Sequence, residues 1–500
     1  MKRILTADEM SRADAYAIQN IGIPSLVLME RAALGVAEEI LSRDFDLSHI
    51  LVVCGPGNNG GDGAAVARLF AERGIASDVL FTGVPEKRSE QLRAQINILK
   101  YYGINEVSDI VPGKYTLIID AIFGIGLSRD VAGRAAEVIS RINLENAKKV
   151  SVDIPSGINA DTGQVLGCAV KANLTVTFAR AKAGHCLYPG KAYSGEVVVR
   201  EIGIPVDETN SGSRLYAVDD ADFLRLPVRD EYGNKATFGK LLVIAGSRNI
   251  CGAAFFAACA ALKCGIGMVR IITDSANRAA LSTLLPEALI DTYDTGYISD
   301  EALKRCIDWA DGVVIGPGLG TDKMSAELFE RFLTLNDLPA VMDADALNLL
   351  AADESLWDKI HFRTAVTPHI GEMCRLTGLS AKEIKSNALD IASDFAKKHD
   401  TVCVLKDAVT VTAYPDKDRY INTSGCSALA SAGSGDVLSG IIGGLTVRYK
   451  DCHLPIEAFG VHLHGRCGET AGKLAGNGPA TASDLLSAIS GTGLMQLSEH

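Results

Sequence analysis

The sequence predicts two tandem α/β domains, each with a largely parallel sheet. The chain has 500 residues, which exceeds what a single hydrophobic core usually supports. In both halves, short β-branched runs that end at Gly, Pro or Asp alternate with helix-like segments, as is typical of βαβ units. The alternation breaks at about residues 203–234, where Ile204–Ser213 is polar and contains Gly and Ser. We therefore expect one domain over residues 1–215 and another over residues 216–500.

The expected elements follow one another in the order that βαβ units require. In the first half, strands are predicted at Ile50–Cys54, Ser77–Phe81, Leu117–Asp120, Lys149–Asp153, Leu174–Phe178 and Glu196–Glu201. Helices are predicted between them at Ala64–Arg73, Glu86–Tyr101 and Gly133–Asn143. In the second half, strand-like runs begin at Lys240 and recur at Met268–Ile272, Gly312–Ile315, Ala340–Asp343, Ala365–Thr367 and Val402–Lys406. Ligands of such sheets bind beyond the carboxyl ends of the strands.

The composition indicates a globular enzyme that acts on small molecules. A formal net charge of -12 without a basic block argues against a nucleic-acid partner. Apolar stretches such as Ala253–Leu262 are too short to cross a membrane, and early charged residues argue against a signal peptide. Twelve scattered cysteines without a Cys-x-x-Cys pair indicate a reducing compartment. A cytoplasmic protein is therefore expected.

Three glycine-containing loops follow strands in the first half. They are Gly55–Gly63, Asp120–Arg129 and Ser151–Gly157. A single aspartate at a strand end is more often a helix cap or turn residue, but three such loops at one sheet edge favour a site. Oxygens of Asn59, Asp120 and Ser156 can surround a weakly held cation such as K⁺, which leaves Asp153 free for acid/base chemistry.

These loops, together with Met29–Ala33, closely resemble the NAD(P)H-hydrate epimerase domain of the NAD(P)HX repair enzymes. The resemblance implies a Rossmann-like domain that interconverts the R and S epimers of the hydrated nicotinamide ring, with Asp153 as the acid/base residue. It implies that K⁺ binds Asn59, Asp120 and Ser156. The implied contacts to the dinucleotide are Asn58, Asn59, Gly60, Gly61, Asp62, Gly124, Ile125, Gly126, Leu127, Ser128, Arg129, Asp130 and Asp153.

A different glycine-rich turn, Ser431–Gly440, opens an apolar helix near the C-terminus. Glycines let backbone N–H groups approach a phosphate, and the positive end of the helix favours anionic oxygens. Asp436 stands where it can take a proton from an attacking hydroxyl, which suits phosphoryl transfer. The alternative is a glycine-rich helix start that Asp436 merely caps. Further strand-end motifs are Gly316–Gly320, Asp343–Asn348, Thr367–Met373 and Val404–Thr410.

Individual histidines carry less information. A single histidine such as His369 more often has a structural role. Its place at a strand end near Glu372 favours the alternative, in which it contacts a ligand. His462 and His464 have no cysteine or acidic partner at metal-ligand spacing, so packing on a helix face is expected for both.

The motifs of the second half resemble the ribokinase superfamily and, more narrowly, the ADP-dependent NAD(P)H-hydrate dehydratase domain, over residues 235–495. Ile370 stands where many members have Pro, which affects loop rigidity more than chemistry. The resemblance implies a ribokinase-like α/β domain that uses ADP, and phosphoryl transfer from ADP suggests that Mg²⁺ is also needed. The implied contacts to the hydrated dinucleotide are Ala253, Gly318, His369 and Asp436. The implied contacts to the nucleotide are Lys406, Asp407, Ala408, Val409, Thr410 and Gly435.

The two resemblances predict a bifunctional repair enzyme. It epimerises R- and S-NAD(P)HX and dehydrates the S epimer to NAD(P)H as ADP becomes AMP and phosphate. Expected partners are NAD(P)HX, ADP and further copies of the chain in a homo-oligomer. Two alternatives are a kinase of a small alcohol, such as a sugar or vitamin precursor, and a non-catalytic N-terminal module that binds nucleotides or proteins and regulates the second domain.

Overall fold

A computed structural model of the chain describes residues 1–206, 214–294, 297–416 and 418–497. The chain divides into two compact units. One comprises Arg3–Leu215, and the other comprises Tyr216–His500 together with Met1–Lys2. Asp207–Ser213, the larger part of the polar stretch predicted between the domains, lies outside the described residues.

The first unit contains a seven-stranded sheet whose order is β4-β3-β2-β5-β6-β7-β8, with every neighbouring pair parallel. After the N-terminal β1 (Lys2–Arg3), the strands are β2 (Ile50–Cys54), β3 (Ser77–Phe81), β4 (Asn105–Val107), β5 (Leu117–Ala121), β6 (Lys148–Val152), β7 (Leu174–Phe178) and β8 (Glu196–Arg200). The α-helices are α1 (Ala7–Tyr16), α2 (Ser25–Leu41), α3 (Asn58–Glu72), α4 (Glu90–Tyr101), α5 (Gly133–Leu144), α6 (Ala183–Cys186) and α7 (Gly190–Ser194).

The central strands of this sheet are buried on both faces. Along β2, Ile50 and Val52 pack into one apolar core, and Leu51 and Val53 pack into another. All four side chains are at most 2% exposed. This is the pattern of a parallel sheet covered by helices on both sides, so the α/β class predicted from the sequence is confirmed.

Helix α3 begins earlier than the sequence predicts, at Asn58 instead of Ala64. The glycine-rich segment was expected to be a turn, but its second half forms the first turns of the helix. A Cβ on Gly60 would lie 2.0 Å from the Gly55 carbonyl oxygen, and one on Gly63 would lie 2.5 Å from Ala121 Cβ. These glycines therefore allow the first turns of α3 to pack closely against the ends of β2 and β5.

The second unit contains strands in the order β9-β18-β17-β16-β15-β14-β13-β10-β11-β12. The pairs from β16 through to β12 are parallel, and β17 and β18 add antiparallel strands. The strands are β9 (Leu215–Ala217), β10 (Lys240–Ile244), β11 (Met268–Asp274), β12 (Leu289–Tyr293), β13 (Gly312–Ile315), β14 (Ala340–Met342), β15 (Thr364–Val366), β16 (Val402–Leu405), β17 (Val411–Ala413) and β18 (Arg419–Ile421).

Helices cover this second sheet. They are α8 (Gly252–Lys263), α9 (Arg278–Leu284), α10 (Asp300–Trp309), α11 (Lys323–Leu335), α12 (Asp345–Ala352), α13 (Ile370–Thr377), α14 (Ala381–Ser386), α15 (Ala388–Lys398), α16 (Ser434–Arg448), α17 (Ile456–Leu474), α18 (Ala482–Gly491) and α19 (Leu494–Leu497). Helices α8 and α16 pack closely because their facing residues are small. A Cβ on Gly440 would lie 2.2 Å from the Ala257 carbonyl oxygen, so this position requires glycine. That contact anchors α16, whose first turn carries the glycine-rich motif of the second unit.

The sequence analysis expected no membrane-spanning segment and cysteines in a reducing compartment. In the described part of the chain, no helix is long and apolar enough to cross a membrane. All twelve cysteines lie in described segments and are free thiols.

Candidate active sites

The three loops predicted to converge in the first unit do so, because β2, β5 and β6 are adjacent and parallel. Their carboxyl ends border a cavity of about 720 Å³. The predicted residues that line it are Asn58, Asn59, Asp62, Gly124, Ile125, Gly126, Leu127, Ser128, Arg129 and Asp153. Gly60 and Gly61 instead pack against Gly55 and Met29, and Asp130 is exposed.

Asp153 follows β6 directly and has a left-handed backbone conformation with φ of 67°. Its Oδ1 accepts hydrogen bonds from Lys182 Nζ at 2.7 Å and from Thr177 Oγ1 at 2.9 Å. Burial alone would raise the pKa of this carboxyl, but the Lys182 ammonium and the hydrogen bonds lower it below its ordinary value. Asp153 is therefore ionised at neutral pH.

Two other carboxyl groups line the same cavity and have the opposite tendency. Burial raises the pKa of Asp62 well above its ordinary value, and the negative charges of Asp153 and Asp14 raise it further. The pKa of Asp14 is raised by burial and by Asp153. The cavity thus combines one ionised carboxylate with carboxyl groups that retain protons more readily, a pattern found where one group acts as a base and another as an acid.

The predicted cation ligands lie around the start of the Gly124–Asp130 loop. Asp120 is fully buried and accepts hydrogen bonds from the Ser151 hydroxyl, at 2.8 Å, and from both the hydroxyl and the N–H of Ser156. The Ser156 hydroxyl also lies 3.3 Å from the Phe123 carbonyl oxygen. Asn59 is 9% exposed, and its amide nitrogen has no partner among the described residues. Neutral oxygens with one carboxylate suit a weakly held monovalent cation.

Several residues of this site carry no sequence motif. Lys182 lies in a short segment after β7, and Asp14 lies on α1, far from the glycine loops in sequence. Apolar side chains complete the cavity wall at Met10, Leu28, Met29, Phe178, Ile202 and Ile204.

In the second unit, the glycine-rich turn forms the start of α16 as predicted. Gly433 caps the helix with φ of 84°, and a Cβ there would lie 2.9 Å from Ala482 Cβ. Gly435 and Asp436 belong to the first helical turn, where backbone N–H groups are unpaired within the helix. Burial and the charge of Asp343 raise the pKa of Asp436 to about 6, against the opposing effect of Lys406. The Ser431 hydroxyl of the same turn is buried without a partner in the described structure.

The side chain of Lys406 reaches the glycine-rich turn near Gly435. Its Nζ bonds Asp343 Oδ1 at 2.8 Å, and a Cβ on Gly435 would lie 3.5 Å from the same nitrogen. The Ser439 hydroxyl donates to the other oxygen of Asp343. Burial would raise the pKa of Asp343, but Lys406 and Ser439 hold it below its ordinary value. Lys406 and Asp343 therefore form a largely buried ion pair beside Gly435 of this turn.

His369 caps α13 and is part of the same strand-end cluster. Its ring Nδ1 accepts hydrogen bonds from the backbone N–H groups of Gly371 at 2.9 Å and Glu372 at 3.2 Å. The backbone N–H of His369 in turn donates to Glu372 Oε2 at 2.8 Å. The ring remains about half exposed. Burial raises the pKa of Glu372 to about 7. His369 thus has both a structural role, as the sequence suggested, and an accessible face.

The remaining predicted contacts fall into two groups. Gly318 has φ of 61°, and a Cβ there would lie 3.1 Å from Ala253 Cβ, so these two residues are neighbours. Lys406, Asp407, Ala408, Val409 and Thr410 form the connection between β16 and the antiparallel β17. Asp407 and Ala408 are exposed, whereas Val409 is buried.

The supporting roles of Asp343, Ser439 and His464 were not predicted from the sequence. His464 Nε2 lies 3.1 Å from the Ser434 hydroxyl, and both residues are buried. His462 Nε2 lies 2.8 Å from Asp220 Oδ1. No group of three or more His, Cys, Asp or Glu side chains in the described ranges is arranged to hold a metal ion. Both histidines thus have hydrogen-bond partners within the protein, and His464 supports the glycine-rich turn through Ser434.

Comparison with known proteins gives these two sites a family. A family model described as NAD(P)H-hydrate dehydratase matches residues 241–490, and one described as YjeF-related protein N-terminus matches residues 25–184. A relative from Moorella thermoacetica, named bifunctional NAD(P)H-hydrate repair enzyme Nnr, is 37% identical over 97% of this chain and 95% of its own. The chain belongs to the bifunctional NAD(P)H-hydrate repair enzymes.

Other comparisons agree with this membership. A bifunctional NAD(P)H-hydrate repair enzyme from Escherichia coli strain K12 is 35% identical over 97% of this chain and 92% of its own. The crystal structure of a ribokinase-like superfamily protein from Enterococcus faecalis V583 matches with a TM-score of 0.50 and 23% identity, and covers 58% of this chain and 98% of that chain. That likeness concerns the fold.

The repair enzyme therefore has a Rossmann-like NAD(P)H-hydrate epimerase domain and a ribokinase-like NAD(P)H-hydrate dehydratase domain, as the sequence predicted. The alternative of a small-alcohol kinase with a regulatory N-terminal module is not favoured, because the relatives that span the chain carry the repair-enzyme name.

Proposed function

We propose that the cavity of the first unit is the epimerase site and that the start of α16 is the dehydratase site. The observation that carries this proposal is the placement of Asp153 and Asp436. Each carboxyl group stands at the end of an element beside glycine-rich backbone, and each has a pKa moved by its surroundings. Perturbed groups of this kind cluster at catalytic sites.

We propose that epimerisation breaks the C–O bond of the hydrate and forms it again on the other face of the ring. The lone pair of the ring nitrogen can expel the hydroxyl as water if an acid protonates it. Water then adds to the opposite face and loses a proton to a base. We assign the base to Asp153, whose pKa is lowered, and the acid to Asp62, whose pKa burial and the charges of Asp153 and Asp14 raise well above its ordinary value. The proton returned by Asp153 balances the one that Asp62 gives.

Asn59, Asp120 and Ser156 are proposed to hold K⁺. Asn59 lies beside Gly124 and Ser156 lies beside Phe123, at the start of a loop that is itself proposed to bind the dinucleotide. Bound K⁺ would supply positive charge beside the dinucleotide phosphates. Replacing K⁺ with Na⁺ is expected to lower the epimerisation rate several-fold, and Ser156→Ala is expected to remove most of that difference. Chromatography of the two epimers measures it, and equal rates of the wild-type enzyme in both salts would contradict the site.

At the dehydratase site, we propose that Asp436 accepts the proton of the hydrate hydroxyl while that oxygen attacks the terminal phosphorus of ADP and AMP leaves. The helix N-terminus around Gly435 and the Lys406 ammonium stabilise the phosphoryl oxygens. The ring nitrogen then expels phosphate, and loss of a proton from the neighbouring carbon gives NAD(P)H. Mg²⁺ bound to the nucleotide phosphates would neutralise part of their charge.

Gly435→Ala tests the nucleotide position. The new Cβ would lie 3.5 Å from Lys406 Nζ and 3.8 Å from Asp343 Oδ2, which are ordinary contacts, so the fold is expected to persist. The methyl group would occupy space that a phosphate oxygen needs to reach the backbone. We expect the KM for ADP to rise by about tenfold or more, equivalent to about 1.4 kcal/mol, in initial-rate measurements of NADH formation. Gly491→Ala, whose nearest contact is at 3.6 Å, is the matched control. An unchanged KM for ADP would place the nucleotide elsewhere.

We further propose that the enzyme works in the cytoplasm and forms homo-oligomers. The free state of all twelve cysteines supports a reducing compartment. Sedimentation of the full chain measures the number of copies in the assembly.

A further inference from the structure

The two carboxylate oxygens of Asp153 have different surroundings. Oδ1 accepts hydrogen bonds from Lys182 and Thr177. Oδ2 has no hydrogen-bond donor among the described residues, and Asp153 lines the cavity. One oxygen is therefore fixed by the protein, whereas the other is available to a ligand in the cavity.

The ammonium group of Lys182 makes all of its hydrogen bonds within the protein. Its side chain is 0% exposed, and its Nζ donates to Asp153 Oδ1 at 2.7 Å, to Thr177 Oγ1 at 2.7 Å and to the Phe178 carbonyl at 3.1 Å. An ammonium group has three protons, so none remains for the substrate. A buried cation with one carboxylate partner stabilises the charge of that partner. Lys182 consequently acts on any ligand only through Asp153.

His185 fixes the backbone of the same residue. Its Nδ1 accepts a hydrogen bond from the Lys182 N–H at 3.1 Å, which leaves Nε2 to donate to the Asp153 carbonyl oxygen at 2.9 Å. Burial and the charge of Lys182 lower the pKa of His185 to about 4, so the ring is neutral. The left-handed conformation of Asp153 is unfavourable for a residue with a Cβ and persists only where the surroundings hold it.

We propose that Lys182 and His185 are positioning residues of the epimerase reaction. Lys182 selects Asp153, rather than Asp62 or Asp14, as the carboxyl group that carries the charge. His185 holds the backbone turn that directs the free Oδ2 into the cavity. The inference rests on the proposed role of Asp153 as the base, and it extends the site to α6, which lies outside the three glycine loops.

The groups around Asp153 determine the expected pH dependence. Lys182, the residue before α6, and His185 of α6 both face Asp153. Asp62 faces it from α3, and Asp14 faces it from α1. Without Lys182, burial and the two carboxyl groups all oppose ionisation of Asp153, so its pKa must rise. Because the base must be ionised, the low-pH limb of epimerase kcat/KM moves upward, by about two pH units for a lost buried ion pair.

The test is a double-mutant cycle of Lys182→Met and Asp153→Asn in the full chain, with epimer interconversion measured by chromatography. Lys182→Met is expected to shift the low-pH limb upward and to lower kcat by about 10²-fold on the acid side of that limb, with little change in KM. In the Asp153→Asn background, Lys182→Met is expected to cause no further loss, because Lys182 acts only through the carboxylate. The double variant removes both charges, so it leaves no unpaired buried charge to unfold the domain.

His185→Gln and Lys171→Met complete the design. His185→Gln is expected to lower kcat without moving the low-pH limb, since the ion pair remains. Lys171 is exposed in the same unit, and Lys171→Met should leave epimerisation unchanged. A further loss on adding Lys182→Met to Asp153→Asn, or a change confined to KM, would overturn the proposal. Retention of epimerisation by Asp153→Asn alone would instead refute the role of Asp153.

Discussion

Asp436→Asn is expected to abolish nucleotide-dependent dehydration while epimerisation by the same chain continues. The amide cannot accept the hydroxyl proton, and general-base catalysis of this kind contributes about 10²–10⁴-fold to the rate. The variant keeps the size of the side chain at the start of α16, so the glycine-rich turn should remain intact. NADH formation from purified S epimer with ADP and Mg²⁺ measures the loss.

The pH profile gives this prediction a second readout. The pKa of Asp436 is raised to about 6, and the base must be ionised. Dehydratase kcat/KM should therefore fall as pH drops through about 6, and this limb should be missing from any residual activity of the Asn variant. Asp451→Asn, at an exposed position in the same unit, is the control. A rate near that of the wild-type enzyme in Asp436→Asn would show that another group takes the proton.

Asp153→Ala is expected to have the second largest effect, on the other activity. Without the base, the R epimer should be consumed no faster than it epimerises spontaneously, whereas the S epimer should still be dehydrated at the normal rate. Progress curves with a mixture of epimers would then stop near the S fraction. Asp44→Ala, on the exposed surface of the first unit, should give full conversion. Fast consumption of the R epimer by Asp153→Ala would exclude Asp153 as the base.

The sequence predicts the parts of both sites that depend on local backbone chemistry. Aspartates at the ends of β-branched runs locate Asp120 and Asp153, because parallel strands bring their carboxyl ends to one edge. Adjacent β2, β5 and β6 confirm that reasoning for the first unit. The glycine-rich turn that opens an apolar helix locates Asp436. Family resemblance supplied the substrate, which no pattern of spacing could identify.

The supporting residues could not be predicted, because their roles depend on packing between distant segments. Lys182 follows Asp153 by 29 residues and reads as an ordinary charged position, yet it is fully buried. Asp343 was recognised only as part of a strand-end motif, whereas the structure pairs it with Lys406, 63 residues away. The start of α3 was misplaced for a related reason. Glycines favour turns locally, but here they allow a helix to approach two strands.

The central claim is that one chain performs both repair steps, and absorbance at 340 nm tests it most directly. The wild-type protein would be mixed with R- and S-NADHX, ADP and Mg²⁺, and NADH formation would be followed to completion. The account predicts complete conversion of both epimers that depends on the nucleotide. Conversion that stops near the S fraction would contradict an active epimerase domain, and no NADH with either ADP or ATP would contradict the dehydratase.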